Sequence, residues 1–366
     1  MKKERDSGME TLRLIAMVLV ILVHAFNYGG FFSAASEVGG SVRAAAILVK
    51  IASRSAVSLF VLISGYFMIR TPFDLKKQYR RAGSTYLTIL FYSVVLSVVF
   101  LCLGKDYLYY GETVMPTSKI ILRALFPISS QQWYFLTDYL LLCLLAPFAN
   151  LAVQKLTKKQ YTVLIAVLLW IFCGWQTLSY LSPFKRWFVL YGYYDMTEGK
   201  NVVFFLFLYL LGGYIALHTK ERKRPNFAFL AVSLGAVLAN YFLYTRLPKD
   251  FGWRDTAMKY SNVFVLLFAV GLLLFFKDLH FRCKPLNVLA STTLGIYAIH
   301  EFCFVRNQLW SWFDFKAMDC SSLPKNAAVL ALAVVSIMLV CGAADLLRQG
   351  LFGLISNVHK KLKKTE

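Results

Sequence analysis

The sequence predicts an all-α membrane protein, a polytopic bundle of about ten transmembrane helices with both termini on the cytoplasmic side. Composition is the first observation behind this. Of 366 residues, 58% are hydrophobic and only 16% are charged, where soluble domains carry roughly 25% charged residues. The second is the recurrence of apolar segments near 11–32, 43–69, 84–104, 133–151, 160–181, 201–218, 227–245, 260–277, 286–310 and 325–352. Most are close to the roughly 20 residues that a membrane-crossing helix needs. The third is charge alternation. One set of connections holds Lys2, Lys3, Arg5, then Arg70, Lys76, Lys77, Arg80 and Arg81, then Lys155, Lys158 and Lys159, with further basic clusters at 220–224, 277–284 and 348–364. The intervening connections are poorer in Lys and Arg and carry Glu37, Asp106, Glu112, Asp195, Glu198, Asp250, Asp255, Asp314 and Asp319. Basic connections stay on the cytoplasmic side of a membrane, so this set fixes the orientation.

The elements follow in order. The first apolar run comes after Lys2, Lys3 and Arg5 but is long, contains Arg13 and His24, and leads to no cleavage site. It therefore reads as a retained span and not a signal peptide. The outer connections near 105–132, 182–200, 246–259 and 311–324 are short and rich in Tyr, Trp and Phe, as in an aromatic belt at the membrane surface. The formal net charge of +21 is spread over short clusters between apolar runs, which excludes a basic nucleic-acid-binding domain. The seven cysteines, Cys102, Cys143, Cys173, Cys283, Cys303, Cys320 and Cys341, are dispersed and show neither a disulfide framework nor metal spacing. The ninth segment is polar for a span. It runs from Pro285 through Ser291, Thr292 and Thr293 to His300, Glu301 and Arg306, so it should line the bundle interior or a wet cavity.

Ionisable side chains at membrane depth mark functional sites by default. Here they are Arg13, His24, Lys50, Arg54, Asp138, His300, Glu301, Arg306 and Asp345. Arg13 lies near the cytoplasmic end of the first span, while His24, Asp138, His300 and Glu301 fall in the middle or outer half of theirs. Arg13 and His24 are separated by nearly three helical turns, so they share a face and sit roughly 16 Å apart along the axis. A cation at the inner mouth and an imidazole deeper on the same face suit a long, thin substrate such as the pantetheine arm of an acyl-CoA, with Arg13 available to its phosphates. A snorkelling Arg and a helix-packing His would explain the same spacing without any substrate.

Four motifs carry a resemblance. Glu10-Thr11-Leu12-Arg13 followed by Val23-His24 opens the chain. Val57 to Tyr66 ends in Ser64-Gly65-Tyr66, Gln132-Trp133-Tyr134-Phe135-Leu136 is followed by Ala146-Pro147, and Leu294-Gly295-Ile296-Tyr297 leads to His300. In this order, and on a layout of ten spans, they resemble the membrane-bound acyltransferase-3 family over nearly the whole chain. The chain departs from the family in having Glu10 where Asp is common, and Lys77-Gln78-Tyr79-Arg80 where the family has a cytoplasmic Arg-x-x-Arg.

The resemblance implies a single membrane domain of the bacterial plasma membrane, with no extracellular esterase-like or racemase domain after it. It also implies transfer of an acyl group, acetyl expected, from cytoplasmic acyl-CoA to a hydroxyl of an envelope glycan or lipid-linked sugar. His24 would act as general base, with Glu301 or Asp138 holding its tautomer and His300 as a further catalytic candidate. An acyl-His intermediate is the other route. Arg13, Lys77 and Arg80 would hold the CoA phosphates, and no metal is expected. The rival reading is a transporter or flippase for a polysaccharide or lipid-linked glycan, which would also need buried charges. The oligomeric state, a homo-oligomer included, stays open.

Overall fold

A computed structural model describes residues 6–110, 113–184, 187, 198–313, 315 and 322–365, with side chains described as far as residue 355. Lys2, Lys3, Arg5, Glu112, Asp195, Asp314, Asp319 and Cys320 lie outside the described residues. The described chain is almost wholly helical; its strands are one two-residue hairpin, β1 (Tyr109–Tyr110) pairing antiparallel with β2 (Thr113–Val114).

Seven helical stretches are long and apolar enough to cross a membrane, by length and composition. The first is α1 (Ser7–Asn27). The second runs Gly40–Met68 and is divided into α3 (Gly40–Ser53) and α4 (Ala56–Met68), while the short α2 (Phe31–Val38) precedes it. Next come α5 (Leu75–Leu103), the short surface helix α6 (Thr117–Leu125) and α7 (Tyr134–Gln154). The stretch Lys158–Tyr180 contains α8 (Lys158–Leu169), a π-helical turn over Trp170–Trp175 and α9 (Gln176–Tyr180). Beyond it are α10 (Val202–His218), α11 (Phe227–Arg246), the short α12 (Trp253–Thr256) and α13 (Val263–Phe276), of which α10 and α13 are shorter apolar helices. The ninth segment is split into α14 (Lys284–Ser291), α15 (Thr293–His300) and α16 (Cys303–Trp312), and α17 (Leu323–Thr365) ends the chain.

Helix starts follow from local chemistry. Asp6, Asp74, Asn201, Asn226 and Asn262 each accept a backbone N–H of the first turn of the helix that follows, and Thr157 forms a capping box with Gln160. These bonds satisfy donors that no intrahelical carbonyl can reach. The two broken spans also have a shared local cause. At the first break, Ser53 Oγ donates to the Lys50 carbonyl at 2.8 Å and Ser55 Oγ to that of Ala52 at 2.7 Å. At the second, Ser291, Thr292 and Thr293 donate to the carbonyls of Val288, Leu289 and Ala290. Hydroxyls that bond back to carbonyls compete with the helical ladder and bend it. The ninth segment is therefore not one continuous helix: it breaks at these hydroxyls and again after His300.

Packing places α1 in the interior, against α2, α3, α4, α13, α14, α15 and α17. Helices α4 and α10 approach most closely because a glycine on each faces backbone on the other. A Cβ on Gly65 would lie 2.0 Å from the Tyr209 carbonyl oxygen, and one on Gly212 would lie 2.2 Å from that of Leu62. Small residues at such crossings are what let membrane helices pack. Polar ties hold α7 to the same pair: Tyr209 Oη donates to Asn150 Oδ1 at 2.8 Å, and Asn150 Nδ2 donates to the Met68 carbonyl at 2.9 Å. On the outside, α17 exposes Leu332, Leu339, Val340 and Leu347, and α5 exposes Leu87 and Val98. Exposed apolar surface on this scale would be a liability in water and is at home in lipid.

The glycine crossing yields a stability prediction. Gly65→Val should lower the melting temperature of the detergent-purified protein, at a cost of about 1–3 kcal/mol for forcing the helices apart. Gly83→Ala, where an added Cβ meets nothing within 4 Å, should leave it unchanged or slightly raised.

Candidate active site

A cavity of about 330 Å³ opens among α1, α4, α7, α14 and α15, and both Arg13 and His24 line it, with Ser64, Tyr139, Tyr260 and Tyr297. The residues eleven apart on α1 thus face one compartment. The polar ninth segment contributes Ser291 and Thr293 to the wall, as its composition led one to expect. Arg13 is not loose: Glu10, 6% exposed at its side chain, forms an ion pair with its guanidinium. Ser64 Oγ donates to the Phe60 carbonyl at 2.8 Å and lies 3.2 Å from Tyr139 Oη.

The geometry around His24 fixes its tautomer. His300 Nδ1 lies 2.5 Å from the Ile296 carbonyl oxygen. A carbonyl only accepts, so this nitrogen carries the proton, and neutral His300 presents a lone pair at Nε2. His24 Nδ1 is 3.0 Å from that Nε2, so His24 donates there and keeps the lone pair on its own Nε2. That is the arrangement a general base requires. Glu301 Oε2 lies 3.2 Å from His24 Nδ1 but makes no hydrogen bond. It stands beside the ring as a charge, placed to face an imidazolium. Arg306 Nη1 donates to Glu301 Oε1 at 2.8 Å and holds the carboxylate in position. The four groups come from α1, the α15 terminus and α16, brought together by the break between α15 and α16. His24 is 7%, His300 0% and Glu301 8% exposed, so this polar cluster sits in the apolar interior.

Of the other residues singled out in the sequence, Asp138 is half-buried on α7 and does not line the cavity, whereas Glu301 is the carboxylate within reach of His24. Lys77 and Arg80 are exposed on the first turns of α5 and border neither cavity. Their neighbour Arg81, with Gln78, lines a smaller adjoining cavity of about 110 Å³, and Thr85 and Tyr139 border both. Arg81 was hidden within a run of basic residues, whose helical phase decides which one faces inward. Asp345 is fully partnered: Tyr92 and Arg348 hold one carboxylate oxygen, and Gln349 Nε2 donates to the other at 2.6 Å. Lys50 lies 3.9 Å from the centre of the Phe32 ring.

The expectation of no metal rested on spacing along the chain. Folding nevertheless gathers His24, His300 and Glu301, each offering one ligand atom, within 4.8 Å of one another. The two imidazoles are bonded to each other and to the Ile296 carbonyl, while Glu301 Oε2 has no hydrogen-bond partner.

Comparison with known proteins then bears on the whole chain. Over 99% of its length it is 23% identical to a protein of Enterococcus faecalis described as an amino-acid racemase, spanning 47% of that protein. No solved structure matches. A family model, that of the acyltransferase domain, matches residues 6–346. With the buried imidazole and the cation lining one cavity of a helical bundle, this match assigns the chain to the acyltransferase-3 family.

Proposed function

We propose that the chain is an acyl-CoA-dependent O-acyltransferase of the bacterial plasma membrane, with ten spans and both termini in the cytoplasm. It moves an acyl group, acetyl by expectation, to a hydroxyl of an envelope glycan or lipid-linked sugar. The observation that carries this reading is that Arg13 and His24 line one cavity. Seven long helices, two shorter ones and the three-part ninth segment are consistent with the ten spans. The racemase description belongs to a protein about twice as long as the matching region and is not transferred to this chain.

In the mechanism, CoA enters at the cytoplasmic end with its phosphates near Arg13 and Arg81, and near Lys77 and Arg80 at the surface. The thioester carbonyl then lies at His24. Nε2 of His24 takes the proton of the acceptor hydroxyl as its oxygen attacks the carbonyl carbon. The tetrahedral intermediate collapses with loss of the CoA thiolate, which receives the proton back from the imidazolium. The negative charge of Glu301 stabilises that imidazolium, and His300 keeps the ring oriented throughout. The two broken spans around the cavity favour transport as a second reading, since transporters build substrate sites from discontinuous helices. The family match favours group transfer.

Purified protein supplied with a glycan acceptor should release CoA from acetyl-CoA, detected with a thiol reagent, and His24→Ala should lower the rate by about 10²–10⁴-fold while the protein still inserts and purifies. A fully active His24→Ala variant, or no CoA release by the wild type with glycan moving across proteoliposomes, would overturn the enzymatic reading. Glu301→Gln should reduce kcat and leave KM for acetyl-CoA nearly unchanged, because the charge acts on the imidazolium and not on the bound thioester. Treatment with EDTA or phenanthroline should leave the rate unchanged; inhibition reversed by added zinc would point to an ion among His24, His300 and Glu301.

A further inference from the structure

Three cations collect behind the tyrosines near the His24 end of the cavity, without lining it themselves. Arg54 stands at the break between α3 and α4, Lys200 just before α10, and Arg306 in the first turn of α16. Each faces a tyrosine ring. The Arg54 guanidinium is 5.6 Å from the centre of the Tyr260 ring, Lys200 Nζ is 5.9 Å from the same ring and 6.0 Å from that of Tyr134, and Arg306 is 4.2 Å from that of Tyr28. Tyr134 and Tyr260 line the cavity itself, and the Tyr28 ring is 5.7 Å from that of His24. The cluster therefore rims the reacting imidazole on the side opposite Arg13.

Two of the three cations have carboxylate partners. Lys200 pairs with Glu198 at 2.8 Å, and Arg306 pairs with Glu301 at 2.8 Å. Arg54 does not: among the described residues no carboxylate lies within ion-pair distance of it. Its Nη2 donates to Asn27 Oδ1 at 3.3 Å, and its Nε is buried without any hydrogen-bond partner. A buried guanidinium nitrogen left unpaired is costly, and the planar fork of Arg matches carboxylate and phosphate oxygens. An anionic ligand at this rim would balance the guanidinium charge that no carboxylate meets, through the part of Arg54 that is not buried. Tyr28, the exposed ring of the three, offers flat apolar surface to a sugar beside it.

We infer that the outer rim formed by Arg54, Lys200, Tyr28, Tyr134 and Tyr260 recognises an acidic glycan, whose carboxylate or phosphodiester is held at Arg54 beside the hydroxyl presented to His24. This rests on the acyl-transfer reading and names its acceptor class. Neutral glycans would lack the charge that Arg54 requires. A carboxylated sugar and a sugar or polyol phosphodiester would satisfy it equally, so both are probed.

The test is equilibrium binding to the purified full chain in neutral detergent, with trigalacturonate, a glycerol-phosphate trimer and maltotriose as probes. At least one anionic probe should bind 10-fold or more tightly than maltotriose, and the preference should shrink as salt is raised. Arg54→Gln should remove most of the preference, and Lys119→Gln, on exposed α6, should retain it. If Arg54→Gln does not purify folded, Lys200→Gln, beside the same Tyr260 ring, carries the same comparison. Preference for trigalacturonate alone would assign a carboxylated acceptor, and preference for the glycerol-phosphate trimer alone a phosphodiester. Equal binding of all three probes, or an anion preference that survives both Arg54→Gln and Lys200→Gln, would overturn the inference. Binding needs no turnover, so CoA release by the wild type without an anion preference would refute the acceptor class alone. An anion preference without CoA release would instead refute the acyl-transfer reading.

Discussion

The contact between His24 Nδ1 and His300 Nε2, closed on the far side by the Ile296 carbonyl, is what the rest of the site depends on. Two imidazoles in an apolar interior must satisfy their nitrogens from within the protein, because water cannot reach them freely. Anchoring one ring to a backbone carbonyl settles where every other proton lies and leaves a single basic lone pair. Glu301 adds charge without taking that lone pair, and Arg306 keeps the carboxylate from collapsing onto the rings. The helices that deliver these groups are packed where they are because α1 is enclosed by seven neighbours.

Continuous helices could not have built this arrangement so easily. Glu301 reaches His24 because α15 ends at His300 and the chain turns before α16. Arg54 stands beside the Tyr260 ring because α3 stops short of α4. In both broken spans, hydroxyls bonded back to carbonyls supply backbone acceptors with partners that the interrupted ladder no longer provides. Unsatisfied backbone is tolerated poorly within a membrane, so the breaks and the serines and threonines go together.

Much of this was legible in the residues alone. The apolar segments and the alternating basic clusters give the helical bundle, and the eleven-residue interval between Arg13 and His24 puts both on one face by helical geometry. The polar ninth segment could only line an interior. Other features were not legible, for reasons that can be named. Choosing between Glu301 and Asp138 needs distances between helices that lie far apart in sequence. Within the basic run on α5, Arg81 faces a cavity where Lys77 and Arg80 do not, and helical phase relative to neighbouring helices decides that. The gathering of His24, His300 and Glu301 crosses nearly three hundred positions, beyond any spacing rule. The hydroxyl triplet Ser291-Thr292-Thr293 did carry a local signal for a helix break, one that a window averaging hydropathy smooths away.

The flexure at Ser291–Thr293 has an evolutionary consequence. It separates α14 mechanically from α15 and α16, at whose junction the imidazole of His300 and the carboxylate of Glu301 lie. Drift in α14 can be absorbed at the joint without tilting His300 and Glu301. A lineage could therefore vary what Ala290 and Ser291 present to the cavity while inheriting the His24, His300 and Glu301 arrangement intact.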